Sequence, residues 1–377
     1  MYPLGSRSAL AVALAFFAAP LVAQQISFSD PQWKFQGDST KVETFDGRQV
    51  LRIDNGAAAR PDLRLEDGTL DVDIMTSRRR SFVYFNFRVQ NEGEYEDFYL
   101  RPHKSGLPDA AQYAPVFQGQ SAWQLYYGVR GTAAPDILPN VWQHLRIVLS
   151  GRRAAFFLRD TVKPFMVVPR LARDPQPGYI VLNAFVPAGT PGSGVTVRYS
   201  NLNVRPGVIA YDFANAPAEP ALPAGVIDKW DVGPAFAAPD TALSAITPEW
   251  IASFRTLSIE PDGFVELNRQ VPMPKITRYV GAVARVRVIA ERAGTRRLDL
   301  GFSDRATVFV NGTPIFSGDD SYDFANRRDG LISFDQASLY LPLRAGTNDI
   351  SIIVTDRFGG WGIMGRFPDM TGLRLQP

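Results

Sequence analysis

The 377-residue chain has no cysteine and only two histidines, His103 and His144. Without cysteine there is no disulfide framework, thiol nucleophile, thiolate metal site or lipid-bearing cysteine. With two histidines a Ser-His-Asp arrangement has little to draw on, and no Gly-x-Ser-x-Gly elbow accompanies either one. Nor does their spacing match a metal-ligand signature. Neither sign of charge is in excess: Lys+Arg 40 against Asp+Glu 38 leaves a formal net charge of +2, which gives no electrostatic case for nucleic acid. No internal repeat is evident, and no apolar run beyond the first residues is long enough to span a membrane. Turn formers and rings are what the chain has in quantity: Gly 31, Pro 29 and 12% aromatics. Many turns joining half-buried aromatic strands would give that profile, so the expected class is all-β.

The N-terminus reads as an export signal over residues 1–23. Arg7 precedes an apolar run, Ala9–Ala19, too short for a bilayer, and Leu21-Val22-Ala23 offers a cleavage point before Gln24. The expected location is therefore periplasmic or secreted.

From Gln24 to Arg205 the text alternates as strands do. Gly68–Ile74 places Leu70, Val72 and Ile74 on one face and Asp71 and Asp73 on the other. Ser81–Val89 sets Val83, Phe85, Phe87 and Val89 against Phe82, Tyr84, Asn86 and Arg88, with aromatics on both faces. A sheet that packs on one side and lines something on the other would read this way. Trp142–Leu149 and Ala154–Leu158 form a hairpin about Ser150-Gly151. In order and wording these strands resemble the concanavalin A-like lectin/glucanase jelly roll, most closely its 3-keto-disaccharide hydrolase-like domains. Residues 206–225, rich in Pro and Ala and without period, read as a linker.

The second half, 226–377, holds the clearest local signal. Val308 and Val310 lead into Asn311-Gly312, both tolerant of positive φ, as a two-residue type I′ hairpin requires. With Ile227–Pro234, Gly263–Leu267, Tyr279–Val288, Arg344–Val354 and the Gly-rich Asp356–Gly365, this region resembles the galactose-binding-like jelly rolls attached to sugar-active enzymes. The expectation is thus two β-sandwiches in tandem, with one short helix within Ala242–Phe254.

No reaction is spelled out. A retaining glucanase needs carboxylates about 5 Å apart on one strand face. Neither Asp71-Val72-Asp73 nor Glu92–Asp97, which reads as a solvated turn, matches Glu-x-Asp-x-x-Glu. The richest candidate is Phe98–Tyr127, whose middle lacks period and whose Arg101, His103, Gln112, Tyr113, Trp123, Gln124 and Tyr126 suit sugar hydroxyls and C–H faces. It reads either as a sugar-binding border of the first domain's concave face or as a loop with Trp123 and Tyr126 as its own small core.

No cofactor is expected, with structural calcium left open in Asp319, Asp320, Tyr322, Asp323, Asn326, Arg327, Arg328 and Asp329, which lack EF-hand spacing. Trp361 reads as a sugar stacker or a plug. Three function classes follow: an exported carbohydrate-binding or carbohydrate-processing accessory protein with a glycan partner; a glycoside hydrolase or lyase with Asp97 and His103 as acid/base candidates; or an envelope scaffold gripping a protein partner.

Overall fold

The computed structural model describes residues 24–376 apart from 38, 129–130, 189–195, 220, 274–278 and 323–329. The segment read as an export signal, and five members of the acidic loop from Asp323 to Asp329, lie outside the described residues.

The chain is all-β and forms two β-sandwiches of jelly-roll type in tandem. In the first, one sheet runs in the order Met166–Val168, Arg153–Leu158, Gln143–Ser150, Gly68–Met75, Val197–Pro206, Arg48–Ile53, Thr40–Phe45. The facing sheet runs Gln120–Ser121, Ala111–Phe117, Glu94–Leu100, Phe82–Asn91, Gly178–Phe185, Gly56–Leu65, Lys34–Gln36. Alternation fills the space between them. Leu70, Val72 and Ile74 meet Val83, Phe85, Phe87, Phe98 and Leu100, and the Phe98 and Phe156 rings stack at 4.1 Å across the two sheets.

The second sandwich pairs Arg255–Ser258, Lys229–Val232, Val280–Ala290, Gly346–Asp356, Arg305–Val310 and Thr313–Asp319 in one sheet. Phe264–Glu266, Gly362–Arg366, Gly294–Ser303 and Ala337–Leu343 form the other. Its hairpin turns at Asn311 (φ 51°) and Gly312 (φ 83°), between the paired Val310 and Thr313. Trp361 is a plug: it is fully buried, and its Nε1 donates to the Val354 carbonyl at 3.1 Å.

Three readings need correction. Ala111–Phe117, placed in an aperiodic loop, is a strand with every residue buried, so no polar alternation marked it. Glu92–Asp97 is no solvated turn: Glu94–Leu100 is a strand, with Glu96 and Asp97 buried on opposite faces. In Ala242–Phe254 the helical element is a single 3₁₀ turn, Pro248–Ile251. The Pro/Ala-rich stretch after Pro206 packs down as it leaves the first sandwich, with Phe213 buried beside Val148 and Phe157.

Candidate functional site

Strand Glu94–Leu100 lies between Phe82–Asn91 and Ala111–Phe117, and register sets what surrounds it. Tyr84 is opposite Tyr99, Asn86 opposite Asp97, and Tyr99 opposite Gln112. Because Phe98 and Leu100 point to the core, Tyr95, Asp97 and Tyr99 must face outward, beside Phe82, Tyr84 and Asn86 of the neighbouring strand. Gly178–Phe185 adds Val181, Asn183 and Phe185 on the other side. The outcome is an outward face paved with rings: Tyr84 and Tyr99 at 5.1 Å, Phe82 and Tyr84 at 6.0 Å, Phe82 and Phe185 at 6.0 Å.

Polar groups are set among those rings. The Tyr99 hydroxyl donates to Gln112 Oε1 at 2.7 Å, and Arg101 Nη2 donates to the Tyr99 hydroxyl at 2.9 Å and to Gln112 Oε1 at 3.2 Å. Arg101 is held from behind by Asp109, which also takes Lys104. Asn86 Nδ2 donates to Asp97 Oδ1 at 2.9 Å. Burial pushes the Asp97 carboxyl well above its ordinary value, and this one hydrogen bond opposes it only in part. His103 closes one end, its ring 5.8 Å from Phe82, its Nδ1 accepting from the Ser81 amide at 3.4 Å. Burial, then the charges of Arg101, Lys104 and Arg80, bring it down to about 4, so it is neutral at pH 7.

The seven residues singled out from sequence therefore divide. Arg101, His103 and Gln112 join this face. Tyr113 points the other way, into the core, where its hydroxyl donates to Glu96 at 2.6 Å. Tyr126 and Gln124 belong to the seam with the second sandwich: the Tyr126 hydroxyl donates to Glu266 Oε2 at 2.8 Å, and Gln124 Nε2 donates to Asp304 Oδ1 at 3.3 Å. These three side chains point into the core or the seam, away from the face that the loop's composition led one to expect, whereas Arg101 and Gln112, equally buried, lie beneath that face among its rings. Trp123 stands between face and seam. Its ring lies 6.0 Å from the Arg101 guanidinium, 5.7 Å from Tyr322 and 6.2 Å from Phe358, so the second sandwich contributes aromatic rings to this rim.

The rim explains two glycines. A Cβ at Gly359 (φ 101°) would sit 2.5 Å from Gln124 Oε1, and one at Gly360 (φ 143°) would press on Leu125 and Ala122. The Gly-rich stretch read from sequence is what lets the second sandwich dock. The seam itself is continuous core, with Phe264 and Met364 packed among first-sandwich residues. It also buries carboxyls. Desolvation raises Glu266 to about 8 despite the Tyr126 hydrogen bond; burial also raises Asp304, and burial followed by the charge of Asp304 raises Asp356.

Sequence reasoning missed Tyr99 as a site residue, and named Asp97 only as an acid/base candidate for the hydrolase or lyase alternative. The available signal was the continuation of alternation through Tyr95, Asp97 and Tyr99, which sets three polar or aromatic side chains on one face. Among the described residues no cluster of three or more His, Asp or Glu is arranged to hold a metal ion.

No family model matches the chain, and no curated protein matches it. Solved structures resemble about half of it. A carbohydrate-binding module from Bacillus subtilis does so with TM-score 0.34 and 15% identity over 45% of this chain and 93% of its own. A Bacillus licheniformis β-glucanase gives 0.37 and 10% over 49% and 97%, and a Caenorhabditis elegans galectin 0.28 and 13% over 47% and 97%. At these scores the likeness extends to neither ligand nor reaction.

Proposed function

We infer that this is an exported carbohydrate-binding protein that receives a glycan on the outward face around Tyr84 and Tyr99, the face expected from sequence to be concave. One observation carries the reading: rings of Phe82, Tyr84 and Tyr99 in contact, interleaved with the Arg101–Gln112 pair and with Asp97, hydrogen-bonded to Asn86. Pyranose rings present apolar C–H faces and a rim of hydroxyls, and such a surface meets both. Binding is favoured over hydrolysis because paired-carboxylate cleavage needs a second acid at about 5–9.5 Å. The residues two places from Asp97 on its own strand face are Tyr95 and Tyr99, and its cross-strand partners are Asn86 and Ala114. The hydrolase or lyase alternative retains one feature in its favour, a carboxyl whose pKa burial raises.

A glycan array with the purified protein tests this, followed by titration of the best ligand into Tyr84→Ala. Tyr84 is partly exposed, so the variant is expected to fold and to lose about tenfold or more in affinity, some 1.4 kcal/mol. Silence across the array, or unchanged affinity in the variant, would reject the assignment.

A further inference from the structure

An open cleft of about 620 Å³ lies between the two sandwiches and shares no residue with the aromatic face. Four of the residues that line it are arginines, two from each sandwich: Arg152 and Arg170 from the first, Arg255 and Arg269 from the second. Local structure places each pair. Arg152 sits in the turn between strands Gln143–Ser150 and Arg153–Leu158, and its carbonyl accepts from the Leu171 amide at 2.6 Å, which ties the chain at Arg170 to that turn. Arg255 opens the edge strand Arg255–Ser258, and Glu260, just beyond its end, accepts from Arg269 Nη1 at 2.8 Å. One side chain pins the two sides together across the seam. Gln118 Nε2 donates to the Asn268 and Val271 carbonyls at 2.6 and 3.0 Å, and its Oε1 accepts from the Met273 amide at 3.0 Å. Beside it, the Phe117 ring lies 4.6 Å from the Arg173 guanidinium and 5.5 Å from that of Arg269. The cleft is therefore preformed, and a ligand would not have to order it.

Its charges do not cancel. Arg152 pairs with Asp174 and Arg269 with Glu260, whereas the exposed side chains of Arg170 and Arg255 make no ion pair among the described residues. The lining and its ion-pair partners thus hold a surplus of two positive charges. Leu222, Ile259 and Pro261 supply an apolar part of the wall. We propose that this cleft binds a phosphate monoester, carried by a soluble molecule or by a lipid headgroup, with the phosphate among the arginines and the adjoining part of the ligand against Leu222, Ile259 and Pro261. A monoester carries about −1.5 to −2 at pH 7, which matches the surplus, while a carboxylate would neutralise only half of it. Guanidinium forks also suit phosphate oxygens, which accept paired N–H bonds. The volume falls within the range of about 300–1,000 Å³ usual for small-molecule sites, so more than a bare phosphate fits.

The test titrates phenyl phosphate and benzoate separately into the full chain by calorimetry. Phenyl phosphate should bind saturably with a Kd of about 1 mM or below, and benzoate, an aromatic monoanion, about tenfold more weakly or worse. Arg170→Gln and Arg255→Gln, both at exposed positions, should each weaken phenyl phosphate about tenfold. Lys163→Gln removes one charge at the far end of the strand pair Arg153–Leu158 and Met166–Val168 and should leave binding intact, as should Tyr84→Ala. Sedimentation with phosphatidylcholine vesicles holding about one-fifth phosphatidic acid separates the two sources of the group. Pull-down that is lost in the arginine variants assigns the monoester to a lipid headgroup; phenyl phosphate binding without arginine-dependent pull-down assigns it to a soluble ester. No saturation by phenyl phosphate up to about 20 mM would overturn the proposal. So would benzoate binding equally well, binding retained with both arginines replaced, or equal weakening in Lys163→Gln. Loss in Tyr84→Ala would also overturn it, since the ligand would then sit on the aromatic face.

Discussion

Two strands of the first sandwich carry an aspartate at the same kind of position, mid-strand and facing away from the core, and they give opposite chemistry. Asp71, on Gly68–Met75, accepts from His144 Nε2 at 2.9 Å, Arg146 Nε at 2.6 Å and Arg205 Nη2 at 2.7 Å. Burial opposes its ionisation, but those hydrogen bonds and charges outweigh it and hold Asp71 down at about 2. Asp97, on Glu94–Leu100, has Asn86 and a surround of tyrosines, and burial lifts it well above the usual range. Cations arriving on neighbouring strands make one face an ion-paired lattice. Their absence makes the other a site where burial shifts a carboxyl toward its protonated form. The histidines follow suit: hydrogen bonds that its ring donates to Asp71 and Asp73 raise His144 to about 9, whereas burial and nearby cations lower His103 to about 4.

Removing the anion of the ion-paired face is the most damaging way to break this contrast. Asp71→Ala leaves His144, Arg146 and Arg205 facing one another, and should cost about 3–5 kcal/mol by urea denaturation at pH 7. A cost under about 1 kcal/mol would mean that these pairs are solvated in effect.

A pH series sharpens the comparison at the seam, where Glu266 is a second carboxyl buried without a cation hydrogen-bonded to it. Its folded pKa, about 8, lies above the ordinary 4.5, so the folded state holds the extra proton. The stability tied to that proton is complete below about pH 4.5 and is lost as pH rises through about 8. Glu266→Gln should remove that part of the slope, making the variant more stable than the parent at pH 8 by on the order of 2 kcal/mol. Parallel stability–pH curves for the two proteins would contradict the assignment.

Asp97→Asn is the smallest change. Because burial favours the neutral carboxyl, an isosteric amide should alter stability by about 1 kcal/mol or less at pH 7. A loss as large as that of Asp71→Ala would show that Asp97 is ionised and the contrast false.

Much of this contrast is legible along the chain, and its outcome is not. The period-2 pattern of Gly68–Ile74 and Ser81–Val89 already places Asp71, Asp73, Phe82, Tyr84 and Asn86 on outward faces, because side-chain direction in a strand follows from position alone. Which residues arrive opposite them does not follow. His144 is set against Asp73, and Arg205 comes within reach of Asp71, through pairings that join strands 71 and 134 positions apart. Ala111–Phe117 shows the limit from the other side, since a strand buried on both faces sheds the alternation that would reveal it.

Local wording was enough for the β class, the Asn311-Gly312 turn and the face on which Tyr84 stands, because each depends on backbone sterics and the pleat within a few residues. Assembly settled the rest. The seam turned Gln124 and Tyr126 from surface candidates into buried contacts with Asp304 and Glu266. It also brought Tyr322 and Phe358 to Trp123. Burial and protonation are properties of the whole neighbourhood, and that neighbourhood exists only once distant strands have met.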